Sequence, residues 1–141
     1  MASTTVSTFE STVHKTNVWL KDIMEELGWD SHERAYHSLR AVLHALRDKL
    51  STEEVADLAA QLPMLVRGFY YEGWSPGRRT ISERHKEQFL DHVDEAFRDD
   101  MTVDAEEVTR AVFRTISKHV SGGEIADIKH TLPREIRELW N

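Results

Sequence analysis

The chain has 141 residues, of which 40% are hydrophobic and 30% charged, and a formal net charge of −7 at pH 7. This balance is typical of a folded globular domain, and the absence of an apolar run of about 18 residues argues against a membrane-spanning chain. The sequence contains no cysteine, which excludes disulfides and thiolate zinc sites and favours a cytoplasmic protein. The acidic net charge disfavours nucleic acid as a partner.

A flexible N-terminal tail is predicted over residues 1–8, followed by a first helical repeat over residues 9–70. The first helix is predicted from residues that recur at alternating steps of four and three, which is the period of one buried helix face. These residues are Phe9, Val13, Thr16, Leu20, Ile23 and Leu27. Gly28 is predicted to end this helix.

The second helix is predicted to begin at Asp30, because Glu33 three residues later would complete a capping box. Its predicted buried face consists of Ala35, Leu39, Val42, Leu46 and Leu50. A short third helix is predicted to start at a second capping box, Ser51 with Glu54. Pro63 is expected to close that helix and to open a fourth.

Residues 71–84 are predicted to form a linker, since they interrupt the helical pattern with glycine and proline. Aromatic residues and arginine are enriched at interaction hot spots, so the predicted binding residues are Tyr71, Trp74, Arg78 and Arg79. The alternative interpretation is that Tyr71 and Trp74 fold back and cover the seam between the two halves of the chain.

Residues 85–141 are predicted to form a second helical repeat, 70 positions after the first. Between residues 35–70 and 105–140, 11 of 36 aligned positions are identical, against roughly two or three expected from average composition. The stretch STEEVADLAAQLP at 51–63 returns as SGGEIADIKHTLP at 121–133. The predicted fold is therefore all-α, with two tandem pseudo-symmetric repeats of three to four helices each, packed into one bundle.

Three charged residues of the first repeat recur at the equivalent positions of the second, namely Arg40 as Arg110, Asp57 as Asp127, and Arg67 as Arg137. Because both copies need helix-to-helix ion pairs and a catalytic site is rarely needed twice, we interpret this polar set as structural. In the first repeat Asp57 is predicted to pair with Arg67 or Arg40. The remaining structural assignments are Asp127 with Arg137 or Arg110, and the turn residues Pro63 and Pro133.

No catalytic residue, metal ligand or cofactor is predicted. Two histidine pairs, His37 with His44 and His85 with His92, are seven residues apart, a spacing too wide for two ligands of one metal ion on one helix. The sequence contains no nucleophile elbow and no glycine-rich phosphate loop. These features favour a protein without enzyme activity.

Three segments resemble one known family. LPMLVRGFYYEGW at 62–74, the preceding STEEVADLAAQ, and SGGEIADIKHTLPREIRELW at 121–140 are similar to the bacterial family termed domain of unknown function 2267. The resemblance covers residues from about 9 to 140. It implies an all-helical, cytoplasmic bacterial protein, and it supplies no catalytic residues to assign.

The preferred functional interpretation is a non-enzymatic helical module that binds a protein partner, as a monomer or homodimer. One alternative is a small-molecule or metal-binding protein with its site between the two repeats. Another is a nucleic-acid accessory protein. That alternative would use a cluster of basic residues, namely Arg78, Arg79, Arg84 and Lys86.

Overall fold

The computed structural model describes residues 6–141, and every regular element in this range is helical. The α-helices are α1 (Ser7–Leu27), α2 (His32–Arg47), α3 (Thr52–Ala59), α4 (Met64–Tyr71), α5 (Lys86–Asp94), α6 (Ala105–His119), α7 (Gly122–Thr131) and α8 (Arg134–Arg137). Two 3-10 turns, Glu95–Phe97 and Glu138–Trp140, follow α5 and α8. The predicted all-α fold is confirmed.

Helices α2 and α6 lie at the centre of the bundle. Helix α2 contacts α1, α4, α5 and α6, and α6 also contacts α1 and α5. The predicted buried face is confirmed, because its four residues within α2 and Leu50, which follows the end of that helix, are almost completely shielded from solvent. They are Ala35, Leu39, Val42, Leu46 and Leu50.

The turn between α1 and α2 differs by one residue from its prediction. Gly28 ends α1 as predicted, and it adopts a left-handed conformation with φ of 66°. The N-cap of α2 is Ser31, whose hydroxyl accepts a hydrogen bond from the backbone N–H of Arg34 at 3.1 Å. The predicted capping box of Asp30 with Glu33 is therefore wrong.

The predicted buried face of α1 is correct only beyond its second turn. Thr16, Leu20 and Ile23 are buried, whereas Phe9 and Val13 remain exposed. The helical period is therefore right, but α4, which contacts this part of α1, leaves Phe9 and Val13 about half exposed.

The starts of α3 and α7 share a serine cap but differ in their second bond. Ser51 and Glu54 form the predicted reciprocal capping box. At α7, the Ser121 hydroxyl accepts from Glu124 N at 3.2 Å. The Ser121 N–H donates instead to the Gln61 side chain, at 2.7 Å. The repeated sequence therefore builds one self-contained cap and one cap that depends on α3.

The predicted ion pairs of Asp57 and Asp127 are wrong. Both carboxylates are exposed, and they act with burial to raise the pKa of Glu124. The guanidinium of Arg67 donates instead to the carbonyls of Ala59 and Leu62, at 2.8 and 3.0 Å. Free carbonyls at the end of a helix need donors, and Arg67 lies beside those of α3 whereas Asp57 faces outward.

In the second half, too, the two arginines bind groups other than the predicted aspartate, Asp127. Arg137 donates to the Leu132 carbonyl at 3.2 Å, and Arg110 pairs with Glu106 at 3.1 Å. Pro63 and Pro133 stand directly before α4 and α8, each with φ of −55°.

Helices α3 and α7 begin 70 residues apart, as do α4 and α8. The pseudo-symmetric packing of two repeats stays a prediction. Of the predicted flexible tail, residues 1–5 lie outside the described residues, and α1 begins at Ser7. No helix in residues 6–141 is both long enough and apolar enough to cross a membrane.

Candidate functional site

A cleft of about 550 Å³ separates the C-terminal half of α2 from the linker and from the end of α5. We name it the arginine cleft, because four guanidinium groups belong to its lining. Its polar lining residues are Arg40, His44, Arg47 and Asp48 from α2; Glu72, Arg78 and Thr80 from the linker; and His92, Glu95 and Arg98 beyond it.

Arg47 anchors the start of the linker. Its side chain is buried, and one guanidinium nitrogen donates to the carbonyls of Tyr70 and Glu72, at 2.7 and 2.9 Å. Its Nε donates to the Asp48 carboxylate at 3.0 Å. These bonds occupy Nε and one of the two terminal nitrogens of Arg47, and they hold the surrounding chain in place.

The next two residues of the chain anchor the far part of the linker. The Asp48 carbonyl accepts from Thr80 N at 2.9 Å. The buried Lys49 ammonium donates to the Thr80 carbonyl at 2.6 Å and to the Glu83 carbonyl. Burial lowers the pKa of Lys49. Three consecutive residues at the end of α2 therefore fix the linker: Arg47 and Lys49 through their side chains, and Asp48 through its carbonyl.

The arginines of the cleft other than Arg47 differ in their ionic partners. Arg40 Nε lies 3.4 Å from Glu72 Oε1, a long contact between partly exposed groups. Arg78 and Arg98 are exposed, and neither forms an ion pair with any of residues 6–141. The four arginines of the lining exceed its three carboxylates, Asp48, Glu72 and Glu95, so the cleft is slightly cationic.

His44 lies half-buried in the wall of the cleft. Its Nε2 is 2.6 Å from the Phe69 carbonyl oxygen, and a carbonyl only accepts, so Nε2 carries the proton. Burial lowers the pKa of His44, and the charges of Arg47 and Arg40 act in the same direction. His44 is therefore a neutral hydrogen-bonding group at pH 7.

The structure separates the four predicted binding residues of the linker. Tyr71 and Trp74 are half-buried against the core, with ring centroids 5.6 Å apart. Arg79 is exposed and is absent from the described lining of the arginine cleft, whereas Arg78 belongs to it. A binding role for these residues stays a prediction.

An apolar groove of about 760 Å³ lies on another face, between α1 and α4. Phe9, Val13, Met64 and Leu65 line it and are between 43 and 53% exposed. The Thr12 hydroxyl accepts from Leu65 N at 2.9 Å and so joins the two helices. This groove was not predicted from the sequence, because the helical period of α1 places Phe9 and Val13 in the core.

A polar cluster joins α1 to α6 on a third face. Asp22 accepts from His119 at 2.6 Å and from Lys118 at 3.0 Å, and the His119 ring stacks on Trp19. Burial raises the pKa of Asp22, but these hydrogen bonds and charges outweigh it, so the pKa lies below its ordinary value. We assign this cluster to stability.

The described histidines and acids are dispersed. Among residues 6–141, no three of them lie where they could share a metal ion. His92 lies beside Glu83, at 3.0 Å, and His85 beside Glu135, at 2.9 Å.

Comparison with known proteins agrees with the resemblance seen in the sequence. No curated protein matches the chain. The model of one family, described as Uncharacterized conserved protein (DUF2267), matches residues 16–139, which is almost the whole length. The suspected family is therefore confirmed, and the chain belongs to the uncharacterized conserved proteins of the DUF2267 family.

Proposed function

We propose that the protein is a non-enzymatic helical interaction module that binds an amphipathic helix of a partner protein in the apolar groove. The observation that carries this proposal is the shared exposure of Phe9, Val13, Met64 and Leu65 along one groove. Contiguous exposed apolar surface of this kind marks interaction sites on folded proteins. Apolar walls also lack groups for acid–base chemistry, which fits binding better than catalysis.

The shape of the groove fits a helix. Along α1 its lining extends from Phe9 to Leu20, a distance of about 16 Å or three helical turns. A helix in a groove is held by apolar residues at positions i, i+3 or i+4, and i+7, and these span a similar length. The hydrogen bond between Thr12 and Leu65 N holds the walls together, so the groove exists before the partner arrives.

Charge favours a basic partner over a second copy of the chain. Among the described residues that line the groove, Glu72 is the one that carries a formal charge. The net charge of −7 makes two copies repel one another and attracts a cationic partner. We therefore expect the bound helix to present a lysine or arginine near Glu72.

The corresponding positions of the second half are charged. Seventy residues after Met64 and Leu65 the chain has Arg134 and Glu135. Arg134 pairs with Glu138 at 3.2 Å, and Glu135 accepts from His85 at 2.9 Å. The apolar character of α4 is therefore particular to the first half, which supports a specific docking role there.

Selection from a displayed library of amphipathic helical peptides tests the proposal. Wild-type protein should enrich peptides with apolar residues at helical spacing and basic flanking residues, and Val13→Asp should lose this enrichment. Met101→Asp is the matched control, because Met101 is 95% exposed and is absent from the groove lining.

Equal enrichment by Val13→Asp, or no enrichment by wild type, would overturn the proposal. If the double variant Arg78→Ala with Arg79→Ala lost binding while Val13→Asp kept it, the binding surface would lie on the linker instead of the groove. A wild-type dimer in light scattering that Val13→Asp dissociates would show that a second copy fills the groove.

A further inference from the structure

We infer that the arginine cleft binds a small molecule that carries a phosphate group and free hydroxyls. The cleft lies on the α2, linker and α5 side of the bundle, whereas the apolar groove lies between α1 and α4. The two sites share Glu72 at their margins, but the inference does not depend on the proposed docking of a helix.

The charge of the cleft points to an anion. Asp48 and the backbone carbonyls already bind the Arg47 guanidinium, and Glu72 lies 3.4 Å from Arg40. Arg78 and Arg98 remain without an ionic partner in residues 6–141. Glu95 also lines the cleft without an ion pair in this range, so the four arginines exceed the three carboxylates of the lining by one charge, in a chain whose net charge is −7.

Arginine favours phosphate as the anionic group. The planar guanidinium places two N–H donors where they match two oxygens of a phosphate, and hydrogen bonds between charged groups are the stronger ones. Two guanidinium groups without ion pairs in one lining can donate to several oxygens of a phosphate monoester.

The remaining lining shows that the ligand is larger than phosphate and is not anionic throughout. A volume of about 550 Å³ is that of a small-molecule site rather than of a single ion. Glu95 lines the cleft and forms no ion pair with the described residues. Its carboxylate accepts hydrogen bonds, so it favours hydroxyl groups and repels a second phosphate. Thr80 supplies a further hydroxyl to the lining.

The linker anchors make this site pre-formed. Arg47 fixes the carbonyls of Tyr70 and Glu72, and Lys49 fixes that of Thr80. Arg78 lies between these fixed points, where its N–H donates to the Ser75 carbonyl at 3.0 Å. A backbone held on both sides of Arg78 reduces the entropy lost when its side chain binds a ligand.

Titration calorimetry with ribose 5-phosphate as the probe tests the inference, with ribose and inorganic phosphate as comparison ligands. Ribose 5-phosphate should bind the wild type, inorganic phosphate should bind more weakly, and ribose should not bind. The double variant Arg78→Gln with Arg98→Gln should weaken binding of ribose 5-phosphate by about tenfold or more, since charged hydrogen bonds are lost.

Arg79→Gln is the matched control, because Arg79 adjoins Arg78 but does not line the cleft. It should bind ribose 5-phosphate as the wild type does, and so should Val13→Asp, which alters only the groove. Thermal unfolding of each variant shows that the fold is intact, as expected for exposed side chains without partners.

Three outcomes would overturn the inference. One is no binding of ribose 5-phosphate to the wild type, and another is equal weakening by Arg79→Gln. The third is tighter binding of a 12-nucleotide single-stranded DNA that Arg79→Gln also weakens, because this result would assign the arginines to a nucleic-acid surface.

Discussion

The side chain of Gln61, just beyond α3, exchanges two hydrogen bonds with Ser121, the N-cap of α7. Gln61 Oε1 accepts from Ser121 N at 2.7 Å, and Gln61 Nε2 donates to Ser121 Oγ at 3.1 Å. In the first half, the Ser51 N–H donates instead to the Glu54 side chain, at 3.2 Å. A residue of the first half, Gln61, therefore completes the cap of a helix in the second half.

Replacing Gln61 with alanine should loosen the start of α7. The Ser121 N–H loses its acceptor, so we expect the free energy of unfolding to fall by about 1 kcal/mol, the typical loss for a helix cap. Urea denaturation measures the loss, and amide hydrogen exchange locates it in the first turn of α7. The first turn of α3 is an internal control, because its capping box does not involve Gln61. Unchanged exchange in α7 would contradict this account.

The bond between Asp22 and His119 should make stability depend on pH in the acid range. The pKa of Asp22 lies below its ordinary value of 3.8 in the folded protein. Its stabilising contribution is therefore complete above 3.8 and is lost as the pH falls through the lowered pKa. We expect Asp22→Asn to reduce the free energy of unfolding by about 1–2 kcal/mol at neutral pH, and by progressively less as the pH falls below 3.8.

Glu26→Gln is the matched control for this experiment. Glu26 also lies on α1 and pairs with Arg114 of α6 at 3.2 Å, but both side chains are well exposed. Exposed pairs of this kind contribute about 0–1 kcal/mol. Urea denaturation at several pH values compares the two variants. A loss in Asp22→Asn that is constant with pH, or no larger than that in Glu26→Gln, would refute the prediction.

Lys49→Met should release the linker from α2. The substitution keeps an apolar stem but removes the ammonium that binds the carbonyls of Thr80 and Glu83. Local opening should increase, and limited trypsin digestion should cleave the linker about tenfold faster, the change expected for the loss of roughly 1.4 kcal/mol. Arg78, Arg79 and Arg84 supply the cleavage sites.

Lys15→Met controls for the loss of a positive charge, since Lys15 is an exposed residue of α1. Its rate of linker cleavage should equal that of the wild type. If Lys49→Met were cleaved at that same rate, the ammonium would not be the anchor that its hydrogen bonds indicate.

The core of the fold was predictable because helical period and burial agree in α2. Ala35, Leu39, Val42 and Leu46 lie on one face of α2, Leu50 follows the end of that helix, and all five are buried. Local signals, such as Gly28 and the capping box at Ser51, also act over a few residues and were identified correctly.

Period alone could not distinguish a buried face from an exposed face in α1. Phe9 and Val13 continue the pattern of Leu20 and Ile23, yet α4, which lies beside them, leaves both about half exposed. Which apolar residues are covered depends on the length and position of α2 and α4, and this information is not local.

The arginine cleft was only partly predictable for a similar reason. Arg78 was predicted as a binding residue of the linker, but Arg40 lies 38 residues before it and Arg98 lies 20 residues after it. Only the packing of α2 against α5 brings the three together. The partners of Asp57 were mistaken because conserved spacing between repeats does not show whether a guanidinium meets a carboxylate or a helix-end carbonyl.

The three consecutive residues Arg47, Asp48 and Lys49 fix the linker with contacts that point in different directions. One inserted or deleted residue in the last turn of α2 would rotate all three by about 100° and move them by about 1.5 Å along the axis. Every linker contact would then fail together. Loops tolerate changes of length, but the length of α2 determines where the linker is attached. Among related chains, we expect insertions between Arg84 and the start of α5 at Lys86, and none between His44 and Leu50.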